Sequence, residues 1–170
     1  MTRLIVVCGL PGAGKSTIAQ GISKRLKLLV LSVDPLESAM LQSGIPRDDD
    51  TTGVAAYKVA AVVAGDSLGL GISLIIDAVC GTEPGKQMWR DLAAKHQAEL
   101  TIIECTVSDR ELHKQRIEER VRNIPGMIEV TWARVQHHRS RYEAWPEDHL
   151  VLDAVDSREC NLTKAITYLV

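Results

Sequence analysis

Residues 1–20 read MTRLIVVCGLPGAGKSTIAQ, and they set the fold. From Leu4 to Cys8 the run is apolar, with Ile5, Val6 and Val7 β-branched, as in a strand covered on both faces. It leads into Gly9-Leu10-Pro11-Gly12-Ala13-Gly14-Lys15-Ser16, which fits GxxxxGK[ST]. Behind that loop Ile18, Ile22 and Leu26 recur at i, i+4 and i+8, a helical spacing. A glycine-rich turn between a buried strand and a helix lets the backbone wrap closely and aim several N–H groups inward, forming an anion nest. The start of the helix adds partial positive charge. This chemistry suits the phosphates of a nucleoside triphosphate. Gly9, Gly12, Ala13 and Gly14 shape the nest, and Lys15 reaches the β- and γ-phosphates. Ser16 offers a hydroxyl to Mg²⁺, and Thr17 supports the loop or the α-phosphate.

Four further runs have the same buried-strand character: LLVLSV (28–33), ISLIID (72–77), LTIIEC (100–105) and HLVLDA (149–154). Helical periods alternate with them. Trp89, Leu92, Ala93 and His96 recur at i, i+3, i+4 and i+7, as do Leu162, Ala165, Ile166 and Leu169. A stretch rich in Ala and Val from Thr51 to Leu68 opens on a Thr-Thr cap. The alternation predicts an α/β fold around a parallel sheet. Trp132, Val135 and Tyr142 predict a further packed helical stripe, and His137 and His138 read as surface or core-edge groups.

The chain has 170 residues, the size of one domain with a proper core. It contains no Phe, so that core must be built from Leu, Ile, Val and Ala. The net charge of -2 supplies no global basic field for nucleic acid or an anionic membrane. Cys8, Cys80, Cys105 and Cys160 form no CxxC pair and read as small buried hydrophobes. That usage implies a reducing, cytoplasmic compartment. Near the N-terminus the apolar run ends at Cys8, too short for a signal region of roughly 7–15 residues or a membrane span of about 20.

In an open parallel sheet, ligands sit at the carboxyl ends of strands, and two carboxylates end strands here. Asp77 closes ISLIID, where it can hold Mg²⁺ or cap the strand end. Asp34 follows LLVLSV. It can take a proton from an acceptor hydroxyl, or cap a helix that begins at Pro35; the two roles are compatible. Two polar excursions complete the rim, QSGIPRDDDTTG (42–53) and SDRELHKQRIEERVRNIPG (108–126). On one helix, the second would carry Ile117, Val121 and Ile124 as a stripe, with Arg116 and Arg120 paired beside it. A lid of this kind can bring positive charge to a transferring phosphoryl group; a solvated helix laced with Glu–Arg pairs is the alternative. Arg110 and Arg122 are weaker candidates for the same work.

The motifs GLPGAGKST, LSVD and IIDA and the arginine-rich segment, taken in order, resemble the P-loop kinases. They are most similar to the small AAA-type ATP-binding proteins gathered with polynucleotide kinase, chloramphenicol phosphotransferase and zeta-toxin-like kinases. The resemblance implies a three-layer fold with a five-stranded parallel sheet in the order 2-3-1-4-5 and a helical lid at about 108–126. It implies that Asp34 stands at the general-base position. It would also set Ala154 and Asp156, after the fifth strand, beside an adenine. One departure matters. Polynucleotide kinases tend to carry Asp-x-x-Arg after strand two, whereas this chain has Asp34-Pro35-Leu36-Glu37. Together with Asp48, Asp49 and Asp50, this argues against a nucleic-acid acceptor.

The sequence therefore reads as a single domain, 1–170, that uses ATP and Mg²⁺ to phosphorylate a hydroxyl of a small molecule. The alternative is a nucleotide-binding regulatory ATPase or switch with no acceptor.

Overall fold

The computed structural model describes residues 2–46, 51–121 and 124–170. Asp48, Asp49, Asp50 and Arg122 therefore lie outside the described residues.

The first strand, β1 (Arg3–Cys8), is buried from Leu4 onward and feeds the loop that precedes α1 (Lys15–Leu26). Then follow β2 (Leu29–Ser32), α2 (Val33–Gln42), α3 (Thr52–Gly69), β3 (Leu74–Asp77), α4 (Glu83–Lys95) and β4 (Glu99–Thr106). The remaining elements are α5 (Arg110–Glu119), α6 (Trp132–Ser140), β5 (Leu150–Asp153) and α7 (Arg158–Leu169). All strand pairs are parallel, in the order β2-β3-β1-β4-β5, as the resemblance implied.

Alternation along the strands sorts the core into two layers. On one face Leu4, Val6, Leu74, Ile76 and Ile102 pack against α3 and α4. On the other, Ile5, Val7, Ile75, Ile103 and Leu152 pack against α1 and α7. In α3 the buried positions Ala56, Ala60, Ala64 and Leu68 fall four apart. The alanines let the helix sit close on the sheet, and Trp89 of α4 supplies the bulk that a chain without Phe lacks. The order of connection reverses at β1, whose neighbours are β3 and β4. The glycine-rich loop leaves the sheet at that switch point, where open α/β sheets take ligands.

Several boundaries differ from the sequence reading. β3 begins at Leu74 because Ile72 stands half exposed after the turn at Gly71. The cap of α2 is Ser32, so Asp34 lies inside the first helical turn and does not cap it. The helix α5 stops at Glu119 and Arg120 is extended, so Val121 is exposed and the stripe through Val121 and Ile124 does not form. The helix α6 ends at Ser140, which leaves Tyr142 off its predicted stripe. Cys160 is exposed, unlike the other three cysteines, which are buried as expected. Among the described residues, no helix is long and apolar enough to cross a membrane.

Candidate active site

The glycine-rich loop is held from below by backbone. The Gly9 N–H donates to Val79 O at 3.2 Å. A Cβ at Gly9 would lie 2.0 Å from the Cys105 carbonyl oxygen, so only glycine lets β1 turn this close to β4. At Gly14, φ is 86°, and no side chain caps α1 among the described residues. The first-turn N–H groups of α1 are thus open to an anion. Gly12, Gly14, Lys15, Ser16 and Thr17 line a cavity of about 160 Å³. Ala13 is buried and lines an adjoining cavity, and the Lys15 ammonium folds back onto Leu10 O at 3.1 Å.

Arg116 and Arg120 line the same cavity. Arg116 reaches it from α5, with one guanidinium nitrogen donating to Ala154 O at 2.9 Å. Arg120 comes from the extended residue that ends the helix. Arg110 points elsewhere, donating to Gln136 at 3.1 Å. Asp156 is exposed and ion-paired with Lys164 at 2.7 Å.

Asp77 is buried at the end of β3. Its Oδ2 accepts from the Ser32 hydroxyl at 3.0 Å, while Oδ1 has no hydrogen-bond partner among the described residues. A buried carboxylate oxygen left without a donor is costly and suits a cation. No cluster of three His, Cys, Asp or Glu exists among the described residues to cage a metal. Mg²⁺ fits such a site, since it commonly takes one or two protein oxygens and keeps several waters. Asp34 is half buried on α2, one turn before Ser38. The Ser38 hydroxyl donates to Pro125 O, which ties the segment after α5 to the helix that carries Asp34.

The AAA domain family model matches residues 4–145. This chain belongs to the AAA domain family. Curated relatives of this AAA domain include uncharacterized proteins of Mycobacterium tuberculosis and Mycobacterium bovis, 30% identical over 118 residues. The match takes in 62% of this chain and 23% of each relative, so the chain spans about a quarter of their length. Among solved structures, a sugar kinase from Janibacter is 23% identical with a TM-score of 0.74, covering 99% of this chain and 95% of that one. A gluconokinase from Sinorhizobium meliloti is 15% identical with a TM-score of 0.68, covering 99% and 91%. An APS kinase from Mycobacterium tuberculosis, solved with AMPPNP and APS, is 17% identical with a TM-score of 0.70, covering 99% and 97%. The fold of this AAA domain is the P-loop kinase fold.

Three residues of the AAA domain escaped the sequence reading. Ser32 looked like part of a strand but partners Asp77. His113 of α5 is buried against the phosphate loop, its Nε2 2.7 Å from Pro11 O. Lys86 of α4 is fully buried, with its ammonium on the carbonyls of Glu143 and Ala144 and near the rings of Tyr142 and Trp145. Their partners are 45, 102 and 57 to 58 positions away in sequence, so no local pattern could have announced them.

Proposed function

We propose that this AAA domain is an ATP-dependent phosphotransferase that moves the γ-phosphate to a hydroxyl of a small molecule. The observation that carries the reading is the shared cavity, in which Lys15, Ser16 and the loop N–H groups face Arg116 and Arg120. Phosphoryl transfer asks a protein for positioning and for positive charge around the transferring group. That cavity has both.

In this reading the loop from Gly9 to Thr17 cradles the triphosphate, and Lys15 leaves Leu10 O for the β- and γ-phosphates. Ser16 and Asp77 would hold Mg²⁺, which supplies charge neutralisation on the phosphate oxygens. Asp34 accepts the proton of the acceptor hydroxyl as the new O–P bond forms. The bond between the γ-phosphorus and the bridging oxygen breaks, and ADP leaves. Arg116 and Arg120 stabilise the charge on the equatorial oxygens, and the lid at about 108–126 excludes water. The domain 1–170 acts as one unit in the cytoplasm. Glu37, where polynucleotide kinases tend to have arginine, favours a neutral or cationic acceptor over a nucleic acid.

The test is an incubation with γ-labelled ATP, with and without pooled cytosolic metabolites. Label on a metabolite, lost in Lys15→Ala and reduced roughly 10²–10⁴-fold in Asp34→Asn, supports the kinase. Slow phosphate release alone, indifferent to Asp34→Asn, favours a regulatory ATPase.

A further inference from the structure

His113 stands at a junction of three elements. Its Nε2 lies 2.7 Å from the carbonyl oxygen of Pro11, in the phosphate loop. Its Nδ1 lies 2.8 Å from a guanidinium nitrogen of Arg139, on α6. Trp132, also on α6, and the imidazole meet in a T-shaped pair at a centroid distance of 5.4 Å. A carbonyl only accepts and a guanidinium only donates. The ring is therefore neutral, with its proton on Nε2 and a lone pair on Nδ1.

We propose that neutral His113 is a positioning residue that couples α5 and α6 to the phosphate loop, and that its protonation loosens the nucleotide site. The loop peptide makes this consequential. Pro11 C=O and Gly12 N–H belong to one planar trans peptide and point in opposite directions. Holding the carbonyl on His113 therefore fixes the direction of the Gly12 N–H, and Gly12 lines the phosphate cavity. The contact is close. A Cβ at Gly12, where φ is 83°, would lie 2.8 Å from Ile117 Cδ1 and 3.2 Å from the imidazole.

Protonation reverses the chemistry. Nδ1 would then present a proton to the Arg139 guanidinium, and a cation would appear among Arg139 of α6, Arg116 of α5 and Lys15 of the loop. On β4, Glu104 lines the adjoining cavity of about 260 Å³, but His149 already engages it at 3.1 Å. The cavity's other titratable groups, Cys105 and Tyr142, stay neutral because burial pushes both pKa values up. Among the described residues, the charges that act on the ring are cationic, those of Arg139, Arg116 and Lys15.

The proposal rests on the phosphotransferase reading for its consequence in turnover, but its test reads nucleotide binding and needs no acceptor. Affinity for a fluorescent ATP analogue is measured from pH 8 to pH 5 for the native chain, His113→Gln and His113→Leu. A glutamine amide can donate to Pro11 O and accept from Arg139, yet cannot be charged. The expected result is that His113→Gln keeps the neutral-pH affinity within about threefold, while His113→Leu loses about tenfold, the worth of one good hydrogen bond. As pH falls, the native chain should weaken more steeply than His113→Gln. Titration of the nucleotide itself is common to both and cancels in the ratio. In turnover, the effect should fall on KM for ATP and spare kcat. Independently, ¹⁵N shifts of labelled native protein should show the Nε2-protonated tautomer at pH 7. Parallel pH profiles for native and His113→Gln, or an Nδ1-protonated or charged ring at pH 7, overturn the proposal. If the glutamine variant fails to fold, the nitrogen shifts decide alone. A confirmed clasp in a protein that phosphorylates no acceptor would remove the kinase reading and leave this one standing.

Discussion

Ser32 and Asp77 are register partners on adjacent parallel strands, and the serine hydroxyl donates to the aspartate at 3.0 Å. Both sit at the last position of their strands, so one hydrogen bond fixes which carboxylate oxygen is occupied and which is left for a cation. Ser32→Ala should leave nucleotide binding without metal unchanged and raise the Mg²⁺ requirement about 10- to 100-fold, as groups that orient a metal ligand do. A Mg²⁺ titration of ATP turnover reads this directly. An unshifted titration would mean that Asp77 needs no such support.

Lys86 is the fold's one fully buried lysine among the described residues. Lys86→Met keeps an apolar stem and removes the ammonium, which strips the carbonyls of Glu143 and Ala144 of their donor. The expected loss is about 2 kcal/mol or more, visible as a lower urea midpoint. A variant as stable as the native chain would show that these carbonyls find water instead.

The cysteines should differ in reactivity. Burial pushes the thiols of Cys80 and Cys105 up to about 12 and that of Cys8 well above its ordinary value, whereas Cys160 is exposed. Thiolate is the reacting form. Iodoacetamide at pH 8 should therefore label Cys160 alone in the native protein and all four cysteines in urea, as read by peptide mass spectrometry.

Stability should also depend on pH through His113. Burial, and then the charges of Arg139, Arg116 and Lys15, hold its pKa below the usual 6.5, although the bond to Pro11 O pulls the other way. The unfolded chain takes up this proton first as pH falls. The stabilisation is complete above about 6.5 and is lost as pH falls from there through the lowered folded value. Urea midpoints should decline below pH 6.5, less steeply in His113→Gln. An equal slope in that variant would place the titrating group elsewhere.

The phosphate loop was legible because its chemistry is local: a strand, a nest and a helix written in consecutive residues. The sheet was legible because each buried strand is a short apolar run. The end of α5 was not. Ile117, Val121 and Ile124 keep a helical period on paper, but burial decides whether a period is used, and Val121 is exposed. Tyr142 differs: it is partly buried, but α6 ends before reaching it, so it packs beside the Lys86 ammonium instead of on the stripe. Lys86 of α4 and His113 of α5 stand in helical segments whose local pattern gives no sign of burial. Lys86 and His113 are buried there because backbone carbonyls from distant segments receive them.

The region shared with the AAA domain family stops at residue 145, before β5 and α7. Those last elements are not optional. From Ile103 to Thr106, β4 pairs with β5, and Ala165 and Leu169 of α7 close the layer over Ile5 and Ile103. A fragment cut at residue 145 would carry an unpaired inner strand beside bare apolar surface, a template for edge-to-edge aggregation. The portion that defines kinship is thus smaller than the portion that completes the sheet and its second layer.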